Sequence, residues 1–182
     1  MIPAGYMLKK VAARPDWLAA TDVEDICSVS NCVSEDFDEY IKYWKHNGYW
    51  LFNSPADIEA LCQSEGIDTS KMTLFYYEVF EKQFDDQSRE WSLFAPELSF
   101  PTRVERTPKI HLVGFDVTEF TCGTSPECSP LSCNHLAAEL KVNIHCLFDT
   151  FEDAKCALDD GKFDDAEPGP YRIFAVYRVG PS

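Results

Sequence analysis

Three cysteines and a histidine crowd the segment Thr121-Cys-Gly-Thr-Ser-Pro-Glu-Cys-Ser-Pro-Leu-Ser-Cys-Asn-His135, and two further candidates, His145 and Cys146, follow soon after it. Thiolate and imidazole are the ligands of tetrahedral zinc, so Cys122, Cys128, Cys133 and either His135 or His145 form one candidate metal set. The spacing is not that of a knuckle: the chain contains no Cys-x-x-Cys pair. Isolated cysteines also pack well as small apolar residues. A second chemistry makes Cys133 a nucleophile. A cysteine just ahead of a short helix would be acidified by the helix N-terminus, with His135 or His145 as its base. No carboxylate that would orient the histidine can be named from the sequence. The third reading is structural, a tight turn in which Ser, Asn and Pro cap and bend the chain.

Other familiar chemistry is missing. The chain has no glycine-rich phosphate loop, Gly-x-Ser-x-Gly elbow, His-Glu-x-x-His pair or EF-hand spacing. The carboxylates Asp159, Asp160, Asp164, Asp165 and Glu167 fall in one turn, where a solvated acidic loop is the ordinary explanation.

The elements that would position these groups are legible from period and punctuation. Strands are expected at Tyr6–Ala13, Val23–Val29, Tyr49–Phe52, Met72–Phe84, Glu90–Phe94, Ile110–Thr121, Asn143–Phe148 and Tyr171–Val179, with Gly114 as a bulge. Three longer helices are expected. The first, Glu35–His46, follows Ser34 as N-cap and carries Phe37, Tyr40, Ile41 and Trp44 on one stripe. The second, Pro55–Glu65, follows Asn53-Ser54 and stops at Gly66, and the third, Phe151–Asp160, is capped by Thr150 with Asp153 in the capping-box position. A short helix is expected over Asn134–Leu140, after a Cys/Pro/Ser-rich loop at 122–133, and the proline-bearing stretch Ala95–Lys109 reads as a long loop. The stretch Tyr-Trp-Leu-Phe-Asn-Ser-Pro-Ala-Asp at 49–57 lines up with His-Cys-Leu-Phe-Asp-Thr-Phe-Glu-Asp at 145–153. That match suggests two β-α-β-like units, although shared cap chemistry explains it equally well.

Length and composition bound the rest. The 182 residues fit one α+β domain spanning 1–182, with a mixed or mainly antiparallel sheet of about five to seven strands. Apolar residues make up 45% of the chain, enough for a filled core without disulfides or a metal. The chain's opening does not read as a signal peptide, and no run is long enough to span a bilayer, so the expected compartment is the cytoplasm and the eight cysteines are expected to stay reduced.

Charge is the strongest global signal. With 31 acidic residues against 16 Lys and Arg, the net charge is −15. Such a surface repels nucleic-acid phosphates and anionic membranes and attracts a basic protein. Acids and aromatics lie together around the first helix, which makes Asp36, Glu39, Tyr43 and Tyr49 candidate contacts for that partner. In composition the chain resembles small, acidic, aromatic-rich cytoplasmic proteins that bind and neutralise a partner, bacterial immunity proteins among them. The expectation is therefore a non-enzymatic acidic binder, immunity- or inhibitor-like, without a cofactor. The alternative is a cysteine-dependent enzyme or a zinc-stabilised domain built on the Cys122–His135 segment.

Overall fold

The structure is a computed structural model describing residues 1–30, 32–33, 47–96, 98, 102–108, 110–120 and 128–180. The strands are β1 (Ile2–Lys9), β2 (Ala12–Ala13), β3 (Asp25–Ile26), β4 (Thr73–Val79), β5 (Lys82–Asp85), β6 (Glu90–Leu93), β7 (Ile110–Glu119) and β8 (Tyr171–Val179). The helices are α1 (Pro55–Glu65), α2 (Pro130–Cys133) and α3 (Phe151–Asp159), with a 3-10 turn at Leu136–Ala138. Six strands form one antiparallel sheet, in which β8 pairs with β4 and β7 and meets β5 at Tyr171. Strand β1 lies outside β4, β6 folds back on β5, and β2 and β3 make a second small sheet. Among the described residues no helix is long and apolar enough to cross a membrane.

Among the described residues two helices, not three, run beyond two turns, and the expected helix 35–46 lies outside those residues. The stretches 49–52 and 143–148 are not strands. Trp50 and Cys146 adopt left-handed φ of 54° and 61°, which breaks an extended run, and only Phe52 and Phe148 make single bridges, to Tyr6 and Phe115. The repeated units are therefore not parallel β-α-β. Each is a strand, a clamped loop, a helix and a second strand antiparallel to the first.

The two units match in detail. Asn47 donates Nδ2 to Ala4 O at 2.7 Å and accepts from the Tyr49 and Leu51 amides; Asn143 donates to Val113 O at 2.9 Å and accepts from His145 and Leu147. Ser54 and Thr150 each accept from the amide three residues on and donate to its aspartate, Asp57 or Asp153. Gly5 and Gly114 each stand beside a bulge, with φ of +140° and +155°. Gly5 pairs with Tyr77 and Gly114 with Val176, and Tyr77 pairs with Val176 at the centre of the sheet. A pseudo-two-fold axis through that last pair relates the halves. Cap chemistry alone requires neither the asparagine clamp nor the glycine bulge, so the sequence match at 49 and 145 reflects a repeated structure.

Two apolar clusters form the core, and each draws residues from both halves. One joins Tyr6, Leu51, Ile58, Tyr76 and Tyr77, and the other joins Phe84, Leu131, Phe148, Ala154, Leu158 and Ile173. Burial of the larger of these side chains, at about 1.5–3 kcal/mol each, is the main favourable term. Arg172, on β8, is fully buried. Its guanidinium carbon lies 3.3 Å from the centre of the Phe94 ring and 5.4 and 5.2 Å from those of Tyr49 and Phe120. Stacking on three rings offsets part of the desolvation that lowers its pKa to about 10.

Candidate functional site

Lys9 sits at the end of β1, where the residue is 1% exposed and its ammonium donates to the carbonyls of Ser28, Val29 and Ser30 at 2.9, 2.9 and 2.5 Å. A buried ammonium survives only when its donors are used, and three carbonyls use all of them. From β7, Asp116 grips the same loop, accepting from the Val29 amide at 2.8 Å and from Ser129 Oγ at 2.5 Å. Ser129 is the N-cap residue of α2. One lysine and one aspartate thus hold the 28–30 loop against the start of α2.

That frame decides where the cysteines go. Cys32 follows the gripped loop, Cys128 precedes Ser129, and Cys133 ends α2. Their sulfurs lie within 4.8 Å of one another. The backbone secures them further: Glu119 N donates to Cys128 O at 2.8 Å, and Cys133 N donates to Ser129 O at 2.8 Å. No disulfide joins any of the seven described cysteines. Hydrogen bonds from Cys128 and then Cys133 hold the Cys32 thiol well below its ordinary pKa, and the Lys9 charge adds to this. The cost falls on the donors. Cys128 is raised by its bonds to Cys133 and Cys32, and Cys133, although lowered by Cys128, is raised on balance by Cys32 and burial. Within the trio the thiolate form is favoured at Cys32 and disfavoured at Cys128 and Cys133.

Several sequence expectations find their places here. Cys128 and Cys133 do come together, and Cys122 lies outside the described residues. His135 does not join them. It has φ of 65°, is exposed, and packs edge-on against Trp17 with ring centres 4.9 Å apart. The short helix expected over Asn134–Leu140 is a 3-10 turn at Leu136–Ala138, and a further helical turn, Pro130–Cys133, forms the end of the Cys/Pro/Ser-rich loop, where Pro130 is suited to a first turn. Cys133 therefore stands at that helix's last residue. The dipole there opposes a thiolate, the reverse of what the nucleophile reading requires.

His145 has the carboxylate partner that the sequence could not name. Its Nδ1 lies 2.6 Å from Asp25 Oδ1, while Arg178 Nη2 donates to Asp25 Oδ2 at 3.0 Å and to Cys27 Sγ at 3.2 Å. Cys27 in turn donates to Asp25 Oδ1 at 3.4 Å. Burial, followed by the Asp25 charge, pushes the Cys27 thiol up to about 12, which favours its protonated form. Together with the Cys27 N to His145 O bond, it ties β3 to the second clamped loop. Of the candidate partner contacts, Asp36, Glu39 and Tyr43 lie outside the described residues. Tyr49 is 4% exposed and packs in the core over Arg172. Cys32, Lys9 and Asp116 went unread in the sequence, where each looked like an ordinary strand or loop residue.

Asp116 carries a pH signature. Complete burial raises its pKa to about 6 despite the bonds from Ser129 and Val29. The folded state then holds a proton that the unfolded state, titrating near 3.8, releases. This stabilising term is complete below the unfolded value and is lost as pH rises through about 6, with a limiting slope of about 1.4 kcal/mol per pH unit. Urea unfolding of the wild type and Asp116→Asn between neutral and acid pH should show the wild type gaining on the variant as pH falls. Parallel curves would rule out this titration.

No protein-family model matches the chain, and neither a curated protein nor a solved structure matches it.

Proposed function

We propose that this chain is a non-enzymatic acidic binding protein that captures a basic protein partner, in the manner of an inhibitor or immunity protein. The observation that carries the reading is an acidic face assembled by the fold. The loop after α3 brings Asp160, Asp164, Asp165 and Glu167 beside the β5–β6 hairpin, where Asp86 packs against Gly169. The carboxylates of Asp86, Glu167, Glu119 and Asp164 converge on Tyr171, where they add to burial in raising its pKa. Two cations of this face are already paired: Arg89 with Asp164 at 2.7 Å and Lys155 with Asp159 at 2.5 Å. Lys162 is the loop's own cation, against five carboxylates from Asp159 to Glu167. A net charge of −15 gives long-range attraction to a basic partner, and this face supplies a local landing area.

The test is capture of partners from the host's own proteome on the full chain, followed by measurement of the identified complex. A basic protein is expected, with affinity falling roughly ten-fold or more between low and high salt. Asp164→Lys with Asp165→Lys should slow association and weaken binding, as should reversal of Asp36 or Glu39. A captured partner that is acidic, or whose binding ignores both salt and these reversals, would sink the reading.

A further inference from the structure

The geometry points to a soft-metal site made by Cys32, Cys128 and Cys133, which we propose binds one zinc ion through three thiolates, leaving a fourth position open to solvent or a further ligand. Zinc–sulfur bonds of about 2.3 Å place tetrahedral thiolates about 3.8 Å apart. The three sulfurs already lie within 4.8 Å of one another, so side-chain adjustment of about an ångström closes the site. Its supports are rigid. The Lys9–Asp116 frame fixes the loop before Cys32 and the turn between Cys128 and Cys133 through buried hydrogen bonds. Ser132 Oγ stands 3.8 Å from Cys133 Sγ as an outer contact of the kind that orients metal ligands. Cys32 is exposed, which provides an entry path.

The neighbouring group of Asp25, Cys27 and His145 is a poorer choice although its ligand atoms are as close. Arg178 already hydrogen-bonds both Asp25 and Cys27, and its fixed positive charge would repel a cation. At the thiol site the protons displaced by zinc pass to solvent, so no oxidant or reductant is needed and occupancy falls with pH. The ligand set is soft, and soft thiolates favour zinc or copper(I) over magnesium or calcium. The site does not depend on the acidic face, and its test is separate from that of partner capture.

The full chain, purified without chelator, is expected to carry about one zinc by elemental analysis, one ion per three-thiolate site. The metal-free chain should take up cobalt(II) with the intense near-ultraviolet absorption of thiolate ligation. Cys32→Ser should reduce metal content at least ten-fold, while Cys156→Ser, an exposed cysteine on α3 outside the cluster, should keep it. If Cys32→Ser fails to fold, the cobalt titration of wild type and Cys156→Ser still decides the matter. Absence of a thiolate–cobalt band, zinc retained in a folded Cys32→Ser, or isolation of a chain two hydrogens lighter with a disulfide among these cysteines would each overturn the proposal.

Discussion

Gly5→Ala and Gly114→Ala should each destabilise the fold by roughly 2–6 kcal/mol, the sum of backbone strain and overpacking at a site that cannot yield. A Cβ on Gly5 would stand 2.6 Å from Leu51 Cβ and 2.7 Å from Phe52 O; on Gly114 it would meet Leu147 Cβ and Phe148 O, both at 2.7 Å. The clash is with backbone held by the asparagine clamps, so no flexible side chain can move away. The φ values of +140° and +155° add strain for any residue with a side chain. Gly66 is the control. It is also left-handed, at +67°, but a Cβ there meets nothing within 4 Å, so Gly66→Ala should cost about 1 kcal/mol. Urea midpoints of the three variants test this directly. Equal costs at all three positions would show that the bulges tolerate a side chain and that the repeated close approach is not a constraint.

Lys9→Met should cost about 3–5 kcal/mol, the usual range when one partner of a buried charged network is removed. Methionine matches the stem but leaves the Ser28, Val29 and Ser30 carbonyls without their shared donor in a dry site. It also removes the positive charge that lowers the pKa of Asp116, which should then hold its proton to higher pH. Combining Lys9→Met with Asp116→Asn should cost less than the sum of the two, because the neutral amide no longer needs the ammonium. Equilibrium unfolding of both single variants and the double supplies the cycle. A single-variant loss below about 1 kcal/mol, typical of exposed pairs, would mean the lysine cage is not closed as described. Zinc uptake by a folded Lys9→Met chain should also weaken, since the loop that aims Cys32 is no longer held.

The two effects act on the same part of the molecule. Gly114 allows the second clamped loop to approach β7, and Asp116 lies two residues further along that strand. A bulge that turns the strand at Gly114 thus sets the face from which Asp116 reaches the 28–30 loop. The thiol trio depends on both.

The amino-acid sequence by itself determined the features that rest on neighbours a few residues apart. Ser54 and Thr150 as caps, Gly66 as a helix stop, Gly114 as a bulge and Tyr171–Val179 as a strand are all read correctly, because each is decided by local backbone chemistry. The repeat between 49–57 and 145–153 was visible too, though not its meaning, since Trp50 and Cys146 look like strand residues until their left-handed φ is seen. Only the tertiary structure decided which distant groups meet. Cys32 joins Cys128 and Cys133, and Asp25 reaches His145 from 120 residues away, through strand pairings that no local pattern encodes. A lysine at the end of an apolar strand ordinarily reads as a solvent-exposed terminus. Lys9 is buried because three carbonyls of the 28–30 loop and an aspartate on β7 meet its charge, and desolvating an ammonium is tolerable only where such partners converge.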